Sequence, residues 1–185
     1  MLIKTNWIII TGAPRSGKTK LVERLAFNGW NICPEISRIL LDEALSRNEL
    51  FNNRTVEFEK NLFQEKRKAE ARFDPSETVI WDRSPIDSLA FSQLYHKNLE
   101  NEFVSKLKYQ YKYVFYLCSL PQFIPDYATF ETEEEAYVLG CKIKNCYKQL
   151  GYNIIEVPVT DIKSRAEFVM EKAHLSIPEY ESLDK

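Results

Sequence analysis

Residues 12–19 read GAPRSGKT, directly after the apolar run WIII at 7–10, and their spacing fits G-x-x-x-x-G-K-[ST]. Between a strand and a helix, such a loop holds the phosphate tail of a nucleotide. Gly12 permits the tight turn out of the strand, and Gly17 lets the backbone come close to phosphate oxygens. Backbone N–H groups of Ala13, Arg15 and Ser16 line the concavity, Pro14 having none, and the helix N-terminus adds the positive end of its dipole. Pro14 and Arg15 are the variable positions, with Arg15 placed to lean on phosphate or solvent. Lys18 supplies a point charge at the β- and γ-phosphates. The Thr19 hydroxyl can coordinate Mg²⁺. The ligand expected here is a nucleotide phosphate tail with Mg²⁺.

Two further stretches carry groups suited to the same chemistry. In TVIWDRSPIDS at 78–88, Asp82 closes an apolar run and Arg83 follows it. A carboxylate there can hold Mg²⁺ through water or take a proton from a substrate hydroxyl. Arg83 can stabilise charge on a transferring phosphoryl group. Asp82 or Ser84 could instead cap the helix that Pro85 begins, and Asp87 reads as a first-turn helix acid. In CPEISR at 33–38, Glu35 and Arg38 lie three apart, on one face if a helix begins there. They could receive a substrate hydroxyl and an anionic group, or form a local surface ion pair of little energetic weight.

The elements that must position these groups are legible as apolar runs. WIIIT at 7–11, NIC at 31–33, TVIWD at 78–82, YVFYLC at 113–118 and NIIEV at 153–157 read as strands; the longer ones are nearly continuous, as expected where both faces are covered. Leu21, Val22 and Leu25 share a helix face after the loop. Ala136, Leu139, Ile143, Cys146 and Leu150 repeat at three and four, and Gly151 stops that helix. Ile162, Ala166, Val169 and Ala173 form the last stripe, with Thr160 as its cap and Asp161 in the first turn. Segment 54–73 is charged, with Phe58, Leu62, Phe63 and Ala69 as a loose stripe of a solvated helix. Alternating strands and helices predict an α/β architecture with a parallel sheet. The sheet should bind ligand beyond the carboxyl ends of its strands, where Asp82 and Glu35 fall.

Composition narrows the partners. The chain has 185 residues, enough for one domain, with a lid segment about 121–135 and a polar tail at 176–185. A net charge of −2 makes no case for nucleic acid or an anionic membrane. No apolar run approaches the ~18 residues of a membrane span, and MLIKTNWIIITG reads as a first strand and not a signal peptide. Cys33, Cys118, Cys141 and Cys146 form no C-x-x-C pair, which fits reduced thiols in a cytoplasmic protein. His96 and His174 are isolated and read as ordinary histidines.

Four stretches together resemble a known group: ITGAPRSGKTKL at 10–21, CPEISRILL at 33–41, WDRSPIDSLAF at 81–91 and YKQLGYNIIEVPV at 147–159. The chain is similar to the small AAA-domain-type P-loop ATPases and kinases related to nicotinamide riboside kinase. That resemblance implies a P-loop NTPase fold of kinase type, a five-stranded parallel sheet of order 2-3-1-4-5 with helices on both faces. It implies ATP or GTP with Mg²⁺ at residues 12–19, that Glu35 receives the acceptor hydroxyl, that Asp82 and Arg83 are the Asp-Arg pair after strand three, and that Gln64 lies near the substrate. It places VPVTD at 157–161 by the adenine. One departure concerns the lid. The family carries an arginine there, whereas FIPDYATFETEEEAY at 123–137 has no Lys or Arg, leaving Lys142 or Lys144 as substitutes. Phe123, Tyr127 and Phe130 make the segment aromatic, suited to core packing or to stacking on a base.

Two functions follow. One is an ATP- and Mg²⁺-dependent kinase acting on a small nucleoside-like or other hydroxyl acceptor, with Lys18 and Mg²⁺ on the phosphates, Glu35 or Asp82 taking the proton and Arg83 stabilising the transition state. The other is a nucleotide-binding switch or slow NTPase acting through a protein partner, which the lid without a cation favours.

Overall fold

The computed structural model describes residues 1–49, 52, 54–122, 127–128 and 130–176. In chain order the elements are β1 (Ile3–Lys4), β2 (Ile8–Gly12), α1 (Lys18–Phe27), β3 (Ile32–Cys33), α2 (Ile36–Ser46), α3 (Val56–Glu70), β4 (Ile80–Asp82), α4 (Pro85–Tyr95), a short 3-10 turn (Lys97–Leu99), α5 (Glu100–Lys106), β5 (Tyr109–Gln110), β6 (Tyr113–Leu117), α6 (Glu133–Gln149), β7 (Ile154–Val157) and α7 (Ile162–Lys172). Every pairing in the main sheet is parallel, in the order β3-β4-β2-β6-β7. These are the five expected strands in the expected order 2-3-1-4-5. A two-stranded parallel sheet of β1 and β5 was not foreseen, because two residues each leave no periodic signal.

Burial on both faces explains the apolar runs. Along β2, Ile8 and Ile10 turn to one side, with α1 and α7 through Leu21, Val22, Leu25, Ala166 and Val169. Trp7 and Ile9 turn to the other, with α4 and α6 through Ile86, Leu89, Leu139 and Ile143. Successive strand side chains point to opposite faces, so two helical layers demand two apolar sets. Each buried isoleucine of β2 contributes on the order of 2 kcal/mol.

Helix starts are set by side-chain acceptors. Ser84 accepts from the Ile86 N–H, and Asp87 closes the capping box by accepting from the Ser84 N–H, so Ser84 is the cap of α4 and Asp82 is left for other work. Thr132 and Glu135 form the same box at α6. The cap of α7 is Asp161 and not Thr160: its carboxylate accepts from the Lys163 and Ser164 N–H groups, two orphan donors that one hydroxyl would serve less well. Gly151 follows α6 with φ 83°, a left-handed conformation suited to glycine. Phe123 and most of the expected polar tail lie outside the described residues. Among the described residues, no helix is long and apolar enough to cross a membrane.

Candidate phosphate and acceptor site

The turns after β2, β3 and β4 meet at the carboxyl edge of the sheet and, with one face of α3, enclose a cavity of about 440 Å³. The loop after β2 depends on its glycines. Gly12 has φ 144°, and a Cβ there would lie 2.2 Å from the Leu117 carbonyl oxygen, so only glycine lets β2 turn this close to β6. Gly17 caps α1 in the left-handed region, with φ 86°. Gly140 of α6 lies against the loop too, since its Cβ would come within 2.8 Å of the Ala13 Cβ. The loop's outer wall is held by a residue no motif marked: Arg165 of α7, buried, donates Nη1–H to the Ser16 carbonyl over 3.0 Å.

Within the loop, Lys18 Nζ donates to the Ala13 carbonyl at 2.7 Å and to Ser16 Oγ at 3.3 Å. Burial, reinforced by Arg83 and opposed by Asp82 and Glu35, lowers this ammonium to about 8. Thr19 Oγ1 donates to Asp82 Oδ2 at 2.7 Å. The other carboxylate oxygen, Asp82 Oδ1, is buried with no hydrogen-bond partner among the described residues. Burial and the nearby Glu35 charge raise Asp82 to about 6, with Lys18 and Arg83 opposing. A hydroxyl paired with a carboxylate that keeps one oxygen unused is a donor set suited to Mg²⁺. Among the described residues no three His, Cys, Asp or Glu side chains group as a metal cage, so that ion would rest on Thr19, Asp82, phosphate and water.

Lining the same cavity as the loop lysine, Glu35 and Arg83 form an ion pair. Glu35 precedes α2 without capping it; its Oε1 accepts from Arg83 Nε at 2.9 Å and from Ser37 Oγ at 2.9 Å. Its guanidinium partner is thus Arg83 from the turn after β4, and not the Arg38 three residues on. Burial would raise Glu35, but Arg83 and then Lys18 hold it down at about 2, so it is ionised at neutral pH. Arg83 also donates Nη1–H to the Gly12 carbonyl at 3.3 Å and to Asp87 Oδ1 at 3.1 Å. Its backbone has φ 69°, an unfavourable region for a non-glycine residue, and its N–H donates to the Ile10 carbonyl at 3.0 Å.

Asp87 is more than a first-turn acid. Fully enclosed, it also accepts from Thr11 Oγ1 at 2.6 Å and Tyr147 OH at 2.7 Å. Burial would raise its carboxyl, but Arg83 and Lys66 pull it below the ordinary range. It anchors the back of the Arg83 fork.

Pro14, Arg15, Gly17, Lys18, Thr19, Glu35, Arg38 and Arg83 all line the cavity, whereas Gly12, Ala13, Ser16 and Asp82 stand behind that wall. Gln64 does not line it. It is exposed, because α3 is rotated by Phe63, which stacks on Phe103 of α5 with ring centroids 4.0 Å apart. The face of α3 that meets the cavity is Phe58, Glu59, Leu62 and Lys66. Lys66 is buried and donates to Ser88 Oγ at 3.1 Å. Neither Lys142 nor Lys144 lines the cavity, and Lys144 pairs with Glu156 at 2.7 Å. Outside the phosphate loop and α1, the cations lining the cavity among the described residues are Arg38 of α2, Lys66 of α3 and Arg83 of the turn after β4. Described lid residues close the cavity: Ala128, Phe130 and Glu131 line it, Tyr127 OH donates to Asp42 Oδ1 at 2.9 Å, and Arg54 donates to the Phe130 carbonyl at 3.2 Å.

Residues 7–165 match a family model described as an AAA domain. Comparison with curated proteins finds no match. Among solved structures, the chain is similar to a NadR protein in complex with NR, with TM-score 0.75, 16% identity and coverage of 95% of this chain and 54% of that one. The chain therefore spans about half the length of that protein. It is also similar to deoxyadenosine kinase from M. mycoides, with TM-score 0.69, 16% identity and coverage of 91% and 98%. Thymidylate kinase from Ehrlichia chaffeensis follows with TM-score 0.60, 14% identity and coverage of 92% and 98%. At these identities the likeness is one of fold.

Proposed function

The chain belongs to the AAA domain family, and on that footing we propose that it is a kinase transferring the γ-phosphoryl group of ATP to a hydroxyl of a small nucleoside-like acceptor. The observation that carries this reading is one shared cavity: Lys18 and Thr19 of the phosphate loop line it together with Glu35 and Arg83. The solved structures of similar fold include kinases of nucleosides and nucleotides, which supports the class of reaction. GTP in place of ATP would be held by the same phosphate contacts.

Lys18 would leave the Ala13 carbonyl for the β- and γ-phosphates, exchanging one polar partner for a charged one. Thr19 and Asp82 would hold Mg²⁺, which when bound neutralises phosphate charge. The acceptor hydroxyl oxygen bonds to the γ-phosphorus as the bond to the β,γ-bridging oxygen breaks, and the nucleoside diphosphate departs with that electron pair. The proton goes to Glu35, which is ionised and faces the cavity. Glu35 is a weak base, which suits a loose transition state whose hydroxyl acidifies late. Asp82 is less suited to this step, because it stands behind the cavity wall whereas Glu35 lines the cavity. Arg83 stabilises the equatorial oxygens and holds Glu35 in place.

Incubating the protein with ATP, Mg²⁺ and a nucleoside panel, with mass detection of product, tests the proposal. A phosphorylated acceptor is expected, and Lys18→Ala should abolish it while leaving the melting temperature within a few degrees. Tight nucleotide binding with no phosphorylated acceptor would leave the switch or slow NTPase instead.

A further inference from the structure

The part of the cavity formed by α3 has an apolar wall with one anomaly. Phe58 and Leu62 of α3 and Phe91 of α4 supply apolar surface, and Glu59 lies among the lining residues. Glu59 is 2% exposed, and its Oε2 has no hydrogen-bond partner among the described residues. An enclosed carboxyl oxygen without a donor is costly, and a ligand bringing an N–H to it removes that cost. Burial pushes Glu59 up to about 7, with Lys66 pulling the other way, and an N–H brought to Oε2 by a ligand would favour its ionised form.

Lys66 orients the site. It lies seven residues beyond Glu59, about 10 Å along the helix axis at the α-helical rise. Its ammonium donates to Ser88 Oγ, next to the Asp87 that holds Arg83, which turns this end of α3 toward the Arg83 fork. Glu59 stands two turns nearer the start of α3, beside Phe58 and Leu62, which offer apolar surface to a flat ring.

We propose that Glu59 is the specificity-determining residue of the acceptor site and selects a nucleoside-like acceptor whose ring carries an amino or amide N–H donor. The proposal rests on the kinase reading for the identity of the reacting hydroxyl. A site built around a buried acceptor discriminates strongly against analogues lacking the donor, because the acceptor is then left unpaired.

Binding of paired ribosides to the full chain, with a non-hydrolysable ATP analogue present, tests it: adenosine against purine riboside, cytidine against 2-pyrimidinone riboside, and nicotinamide riboside against nicotinic acid riboside. At least one donor-bearing member should bind about tenfold or more tighter than its partner. Glu59→Met should bring that ratio below about threefold, and Glu59→Gln should keep part of it through its amide oxygen. Both variants should keep the wild-type melting temperature within a few degrees, since no protein hydrogen bond to Oε2 is lost. Equal binding within every pair, no riboside binding, or a preference that survives Glu59→Met overturns the proposal. The kinase reading fails separately, on absence of phosphorylated product, even where the binding preference persists.

Discussion

Arg83 donates Nε–H to Glu35 Oε1 over 2.9 Å, and the two side chains are only 8% and 16% exposed. This pair joins turns 48 residues apart in the chain. Because Asp87 and the Gly12 carbonyl hold its other side, the guanidinium is fixed from behind as well as in front. Lysine cannot reproduce that planar fork. Arg83→Lys should therefore lower kcat by about 10²–10³-fold while changing nucleotide affinity much less. A variant retaining more than half of wild-type turnover would remove Arg83 from the chemistry.

Asp82→Asn tests the division of labour beside Thr19. Asparagine keeps the shape and can accept from the Thr19 hydroxyl, but it offers Mg²⁺ no charge. Turnover at fixed ATP should fall at least about tenfold and require higher Mg²⁺ for half-saturation, with nucleotide binding in the absence of metal nearly unchanged. An unaltered Mg²⁺ dependence would confine Asp82 to positioning Thr19.

Gly12→Ala should be among the most damaging single methyl additions in the chain. The new carbon would meet the Leu117 backbone at 2.2 Å, and backbone cannot step aside as a flexible side chain would. Loss of about 3 kcal/mol or more is expected in denaturant unfolding, with nucleotide binding lost. Wild-type stability would mean that β2 and β6 can separate without cost.

Glu70 sets a pH dependence of stability. It is 2% exposed, and burial pushes it up to about 7 although Tyr111 OH donates to it at 2.6 Å. Its folded value lies above the ordinary glutamate value, so the folded state holds the proton longer than the unfolded one. Stability should fall as pH rises from about 4 to about 7, by on the order of 3 kcal/mol from this group, and level off above. Glu59 acts with the same sign. Glu70→Gln should match wild type near pH 4 and exceed it near pH 8 in denaturant midpoint. Parallel curves for the two proteins would show that Glu70 is ionised at both pH values.

The nucleotide side of the site was legible because each of its groups is local. A loop of fixed spacing between an apolar strand and an amphipathic helix places its own lysine and threonine, and the resemblance to AAA-domain P-loop proteins supplied the strand order later observed. The side formed by Glu35, Arg38 and Arg83 was legible only as a set of residues at one edge. Spacing alone leaves Glu35 and Arg38 either a local ion pair or two substrate contacts, and the carboxylate faces Arg83 because the parallel register of β3 and β4 brings their turns together.

By itself, the sequence determined the five strands, the phosphate loop and the placement of Asp82 and Glu35 at strand ends, since these follow from apolar periodicity and from glycine and capping chemistry within a few residues. Tertiary structure alone decided which face of α3 meets the cavity. The stacking of Phe63 on Phe103 turns Gln64 to solvent and brings Glu59 and Lys66 inward. It also placed Arg165 on the Ser16 carbonyl. A helix of mixed composition has several admissible rotations, and only the packing of its aromatic residue on a distant helix selects one.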